Sequence, residues 1–352
     1  MLIFYLAVLL IPMITIKKRT ENDKPILDAF STTCLKGLIC IYVMLHNIGL
    51  DYEANTPIVE IICEHTGGIG VGIFFFLSAF GIIKSYQTKG NKYLGKILLI
   101  NCTRLYLISL AINLLIYFVY HQGQLETTDM LLKIFSLDVF NGGNRMNRHG
   151  WYIVTIIPLY MLFALIYFIC SKLKTKNKYY IAGWVLALVP LCFEVITWCV
   201  GTGGTYTREI MCFSIGCIYA TYYDKINYLF NKYFKLGLII LILGLTAGMF
   251  TWEPLGAYSA CLLIILVSQK ITYNNNVLHF LGKICIYLYL FVHFTQLGLQ
   301  MFRENQYWWT LMNLGLGLLL SLLMYLVEYL ITLGIRKTKD IFKINKNELI
   351  EN

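Results

Sequence analysis

Charge is scarce in this chain of 352 residues: only 14% are Asp, Glu, Lys or Arg. An ordinary soluble domain carries nearer ~25%. Apolar types instead make up 58%, which excludes disorder, a nucleic-acid-binding module and a disulfide-stapled secreted scaffold together. The eleven cysteines include no Cys-x-x-Cys pair and no Cys/His ligand spacing. Most of them, among them Cys40, Cys102, Cys170, Cys192, Cys212 and Cys261, stand inside apolar runs. They act as small hydrophobes, and no metal centre is expected. Proline is also sparse, at six. What remains is the composition of an all-α, polytopic membrane protein.

A helix crossing ~30 Å of hydrocarbon needs about 20 mainly apolar residues. Such runs cover 2–16, 32–50, 67–84, 97–120, 151–171, 179–200, 207–223, 235–251, 255–270, 277–299 and 308–335. That predicts about 11 transmembrane helices. The first is short enough for a signal-peptide core, but no basic residue precedes it and no small-residue cleavage site follows. It is therefore expected to stay as an anchor.

The basic residues alternate with these runs. Twenty-one of the 29 Lys and Arg fall in every second loop if the N-terminus is outside, from Lys17–Arg19 to Lys346. Lys36, Arg104 and Lys283 stand near the inner ends of their spans, and Lys133, Arg145, Arg148, Arg208 and Arg303 fall outside. The positive-inside rule then gives N-out, C-in. The net charge of +10 is a topology signal, with some attraction to anionic lipid headgroups. The outer loop 121–150 is long enough to suggest a functional role.

Charged and ionisable residues inside a span are costly and tend to mark function. The run 32–50 holds Lys36 and, ten residues later, His46. At 1.5 Å per residue they lie about 15 Å apart along the helix. A histidine is suited to take the proton of a sugar hydroxyl, and a cation at the inner mouth suits the phosphates of a cytoplasmic donor. The plainer alternative is a snorkelling lysine and a histidine bonded to a neighbouring helix. Gly68 and Gly72, four residues apart, mark a helix face built for close approach. Glu194 and Glu328 are further intramembrane acids.

These segments together resemble the membrane-bound acyltransferase 3 family. A basic residue followed by an apolar run and His stands as Lys36 to His46. A small-residue approach to a Phe-Phe-x-x-Ser string stands as Gly70 to Ala79. Asn101-Cys102-Thr103-Arg104 is similar to a paired-arginine segment, and His149-Gly150-Trp151-Tyr152 to a Trp-Tyr helix start. Phe213 to Cys217 and Leu281 to His293 follow in the family's order. The departures are Lys36 for Arg, one residue fewer before His46, Asn101 for the first arginine, Ala79 for Gly and Cys285 for Ser.

The resemblance implies a membrane acyltransferase domain over 28–335, preceded by an anchor and linker at 1–27 and followed by a cytoplasmic tail at 336–352. It implies transfer of an acetyl group from acetyl-CoA to a hydroxyl of an extracytoplasmic or lipid-linked glycan, in the cell membrane. His46 would be the base or nucleophile, with His293 polarising the acyl carbonyl or orienting His46. Lys36, Arg104 and Ser78 would hold the donor, and His149, Trp151 and Tyr152 the acceptor. The expected partners are acyl-CoA, a glycan and membrane lipids, with no nucleic acid and no metal; a homodimer is open. The rival class is a transporter, flippase or polymerase of polysaccharide precursors. A repeat-built transporter should show paired broken helices, and Pro158 and Pro190 lie near span ends instead.

Overall fold

The computed structural model describes residues 16–20, 25–49, 57–122, 125–137, 146–199 and 209–348. Residues 2–15 of the expected first span, and Arg145 and Arg208, lie outside the described residues. The chain is mostly helical. A short strand β1 (Ile16–Lys18) leads to α1 (Ala29–Gly49) and α2 (Pro57–Lys89). Then come α3 (Lys92–His121), α4 (Thr127–Ile134), α5 (Trp151–Ser171) and α6 (Lys178–Cys199). The second half holds α7 (Met211–Thr221), α8 (Tyr223–Lys232), α9 (Phe234–Phe250) and α10 (Glu253–Val267). Strand β2 (Ile271–Tyr273), α11 (Asn276–Gly298) and α12 (Gln306–Glu348) complete it.

Seven of these helices are long and apolar enough to cross a membrane, and α8 with α9 makes an eighth if that pair, bent by 96°, counts as one span. The runs at 207–223 and 255–270 form helices of only 11 and 15 residues, short of the ~20 that a perpendicular crossing requires. Leu107, Phe118, Ile239, Leu243, Leu323 and Leu330 are exposed on the outside of the bundle. A soluble monomer does not leave so much apolar surface open, so the surroundings must be lipid.

One short sheet accompanies the helices. Backbone groups of β1 pair with β2, Ile16 opposite Tyr273 and Lys18 opposite Ile271, in an antiparallel ladder. The Arg19 N–H extends it to the Lys270 carbonyl at 2.9 Å. This small sheet sits at the Lys-rich end, where α1 and α11 both begin.

Those two helices form the most extensive pair in the molecule, and they run parallel. The Cys34 thiol donates to the Asn275 carbonyl at 3.3 Å and the Cys40 thiol to the Cys285 carbonyl at 3.5 Å. Near the far end, the Gln296 amide donates to the Asn47 carbonyl at 2.8 Å. Glycine permits the contact: a Cβ on Gly37 would overlap the Leu278 carbonyl, and one on Gly282 the Thr33 carbonyl. Helix α2 runs antiparallel to α1, with Gly70 against Val43, and is the most enclosed span. Its Gly72 meets Ala257 of α10 and Cys212 of α7, the close approach expected of that glycine face. Helices α1, α2 and α11 therefore make the centre of the bundle, and they carry Lys36, His46, Ser78 and His293.

Candidate active site

The site begins with the Gly37–Gly282 crossing. Because the two backbones touch there, the neighbouring lysines Lys36 and Lys283 open into one cavity of about 280 Å³. Helix α3 supplies a third cation. Its backbone widens into a π turn over Ile97–Cys102, a distortion often found at functional sites. Asn101 inside that turn and Arg104 just beyond it both line the cavity. Helix α2 contributes Val71, Phe74 and Ser78, and α5 contributes Tyr152 and Tyr160. Cys285 and Tyr289 of α11 complete the wall.

Lys36, Arg104 and Ser78, expected at the donor, are thus brought together. Tyr152, expected at the acceptor, joins them: its hydroxyl shares a hydrogen bond of 3.3 Å with Ser78 Oγ. Burial explains the pairing, since Tyr152 packs on Phe75 with ring centroids 5.0 Å apart and its hydroxyl needs a partner there. Lys283, Asn101, Tyr160 and Cys285 are lining residues to which sequence reasoning gave no donor role.

Arg104 is not a lone cation. Its Nε donates to Glu328 Oε1 of α12, its Nη2 to Glu328 Oε2 at 3.0 Å, and the same Nη2 to the Tyr287 hydroxyl at 3.1 Å. The bidentate pairing fixes the plane of the guanidinium. It also supplies the partner that the sequence left undetermined for Glu328.

The histidines lie beyond this cavity, away from the Lys-rich end. His46 is half-buried, and its ring occupies the space that a Cβ on Gly67 would fill. Gly67 is one helical turn from Val71 at the cavity wall, so the imidazole stands about 6 Å along α2 from the chamber. On the opposite wall, the His149 ring contacts Tyr289 at 5.2 Å and His293 at 6.1 Å between centroids, edge to face with the latter. Tyr289 and His293 are also one turn apart. The Asn47–Gln296 bond holds the C-terminal ends of α1 and α11 together, placing His46 and His293 within about a turn of the same depth.

His149, expected at the acceptor, is 3% exposed. Asn147 is the cause. Its amide nitrogen donates to the Leu290 carbonyl at 2.9 Å, and its Oδ1 accepts the His149 backbone N–H at 2.9 Å. This tether folds the end of the 121–150 loop against α11. The Asn-x-His spacing was its only signal in the sequence. Trp151 is half-buried with its ring 6.2 Å from Phe75; among the described residues lining the cavity it is not included. Among the described residues no cluster of His, Cys, Asp or Glu is arranged to hold a metal ion.

The membrane bundle thus holds a cationic chamber near one end, with imidazoles about one turn beyond it. A family model described as an acyltransferase domain matches residues 31–333. The chain belongs to the acyltransferase 3 family. No curated protein and no solved structure matches it significantly. The acyltransferase match spans α1 through most of α12, so every cavity-lining residue falls inside it.

Proposed function

We propose that this acyltransferase moves an acetyl group from cytoplasmic acetyl-CoA to a hydroxyl of an extracytoplasmic or lipid-linked glycan. The observation that carries the reading is the convergence of Lys36, Arg104 and Lys283 on one chamber whose far wall is a turn from the histidines. Cations at the Lys-rich mouth match a donor rich in phosphate. The chamber, at about 280 Å³, lies at the small end of ligand pockets. It suits the acyl-pantetheine end of the donor, leaving the nucleotide at the mouth.

In this reading the acceptor hydroxyl arrives from the outer side and His46 takes its proton as the C–O bond forms at the thioester carbonyl. The C–S bond then breaks, and the coenzyme leaves as a thiolate that collects a proton. The Ser78 and Tyr152 hydroxyls, roughly 16 Å along α2 from the position of the His46 ring, would bind polar groups of the donor inside the chamber. His293, which the His149 ring meets edge to face, polarises the carbonyl or orients His46. The test is mass spectrometry of surface glycans from cells with and without the chain. The reading expects acetyl groups that depend on the chain; identical glycan spectra would reject it.

A further inference from the structure

We infer that the Lys-rich end of the bundle carries a second anion site, separate from the donor chamber and shaped for the headgroup of an anionic phospholipid. An open cleft of about 800 Å³ lies where β1, α8 and the α10–β2 turn meet. Lys18, Arg19 and Lys270 line it, with the polar side chains of Tyr223, Asn227 and Asn231; Asp224 is the acid in the same wall. Among the described residues that line the cleft, three cations stand with one carboxylate. The cleft shares no lining residue with the donor chamber.

The cleft is built rather than incidental. The Tyr223 hydroxyl donates to the Ile26 carbonyl at 2.8 Å, tying α8 to the segment before α1. Lys270 Nζ donates to Asn231 Oδ1 at 2.8 Å, Gln269 Nε2 to Asn227 Oδ1 at 2.8 Å, and Arg19 Nη1 to the Ser268 carbonyl at 3.3 Å. Tyr223, Asn227 and Asn231 recur every four residues and so share one face of α8.

The course of α8 selects lipid over a soluble anion. Its axis turns 96° from α9, so where α9 follows the bundle α8 lies across its end, in the plane of the interface. No residue of α8 is buried. Away from the cleft-facing row, Tyr228 is 67% and Leu229 48% exposed, an apolar surface suited to the headgroup–acyl boundary. Lys225 lies 5.7 Å over the Tyr222 ring and Lys232 5.1 Å over the Tyr233 ring, the amphipathic pairing of an interfacial belt. Directly beyond, α9 presents Leu236, Ile239 and Ile240 to the outside. A phosphodiester in the cleft would have apolar surface beside it for its acyl chains, and a free phosphate would have no use for that surface.

The experiment uses the full chain purified in neutral detergent and read by native mass spectrometry with phosphatidylglycerol or phosphatidylcholine added. One phosphatidylglycerol should be retained per chain, with phosphatidylcholine held about ten-fold more weakly or not at all. The combined substitution Lys18→Gln, Arg19→Gln and Lys270→Gln should abolish the preference, while Lys174→Gln with Lys176→Gln should keep it. Because the triple variant could misfold, the thermal unfolding of the unaltered chain supplies a second readout: phosphatidylglycerol should raise its Tm and phosphatidylcholine should not. Equal retention of both lipids, an unchanged preference in a folded triple variant, or displacement of the lipid by inorganic phosphate or free coenzyme A would overturn the inference.

Discussion

Arg104 of α3 and Glu328 of α12 are joined as a bidentate ion pair across 224 residues of sequence, with the Tyr287 hydroxyl as a third partner of the guanidinium. The side chains are 42% and 30% exposed, so the pair adds little to stability. Its effect is electrostatic. It offsets the single positive charge that α3 brings to a chamber otherwise lined by Lys36 and Lys283.

Glu328→Gln should therefore tighten coenzyme A binding by roughly three- to ten-fold, because the Arg104 charge is no longer offset at the wall. Arg104→Gln should weaken it by about ten-fold, since the remaining carboxylate then faces an anionic donor. Calorimetric titration of the purified protein with coenzyme A distinguishes the two; shifts of the same sign would contradict the arrangement.

Lys36→Gln and Lys283→Gln should each raise the KM for acetyl-CoA about ten-fold while changing kcat little, as expected when binding common to ground and transition states is lost. Arg303→Gln, exposed and remote from the chamber, should leave KM unchanged. Steady-state kinetics in proteoliposomes measures both. A kcat collapse without a KM change would place these lysines at the chemistry instead.

The reason Lys283 was not assigned a role from sequence is also the reason it matters. It meets Lys36 only because Gly37 and Gly282, 245 residues apart, let α1 and α11 touch. Apolar run lengths made the spans legible, and the order of short motifs brought out Lys36, Ser78, Arg104 and Tyr152. A linear pattern carries no record of which helices run parallel, so the Tyr152–Ser78 bond and the Arg104–Glu328 pair were hidden. Three-residue strands leave too little alternation to recognise, and the β1–β2 pairing was missed for that reason. The burial of His149 was not legible either, because it depends on the Asn147 tether to the Leu290 carbonyl, a contact between a loop and a distant helix.

The crossing itself can be tested. Gly37→Ala or Gly282→Ala puts a methyl into backbone, which cannot yield as a flexible side chain would. A loss of about 1–3 kcal/mol or more is expected, read as a lower Tm in detergent. Gly315→Ala, with open space around its position, should unfold like the unaltered chain. Equal Tm values for all three would mean the two helices are not in contact.

Gly67→Ala should be a functional rather than a structural lesion. The new methyl occupies the place of the His46 ring, and the imidazole can swing aside at less cost than backbone. Acetyl transfer should fall by at least about ten-fold with coenzyme A affinity retained, given that general bases contribute 10²–10⁴-fold only when correctly placed. Unchanged transfer would show that the ring's position does not matter.

The most direct measurement is acetyl transfer by the purified protein carrying His46→Gln, with radiolabelled acetyl-CoA supplied at the Lys-rich face and acceptor glycan at the other. The account predicts a fall of about 10² or more in kcat, with coenzyme A affinity and Tm held near those of the unaltered chain. Transfer within about two-fold of the unaltered rate, in a variant that is folded and binds the donor, would contradict it.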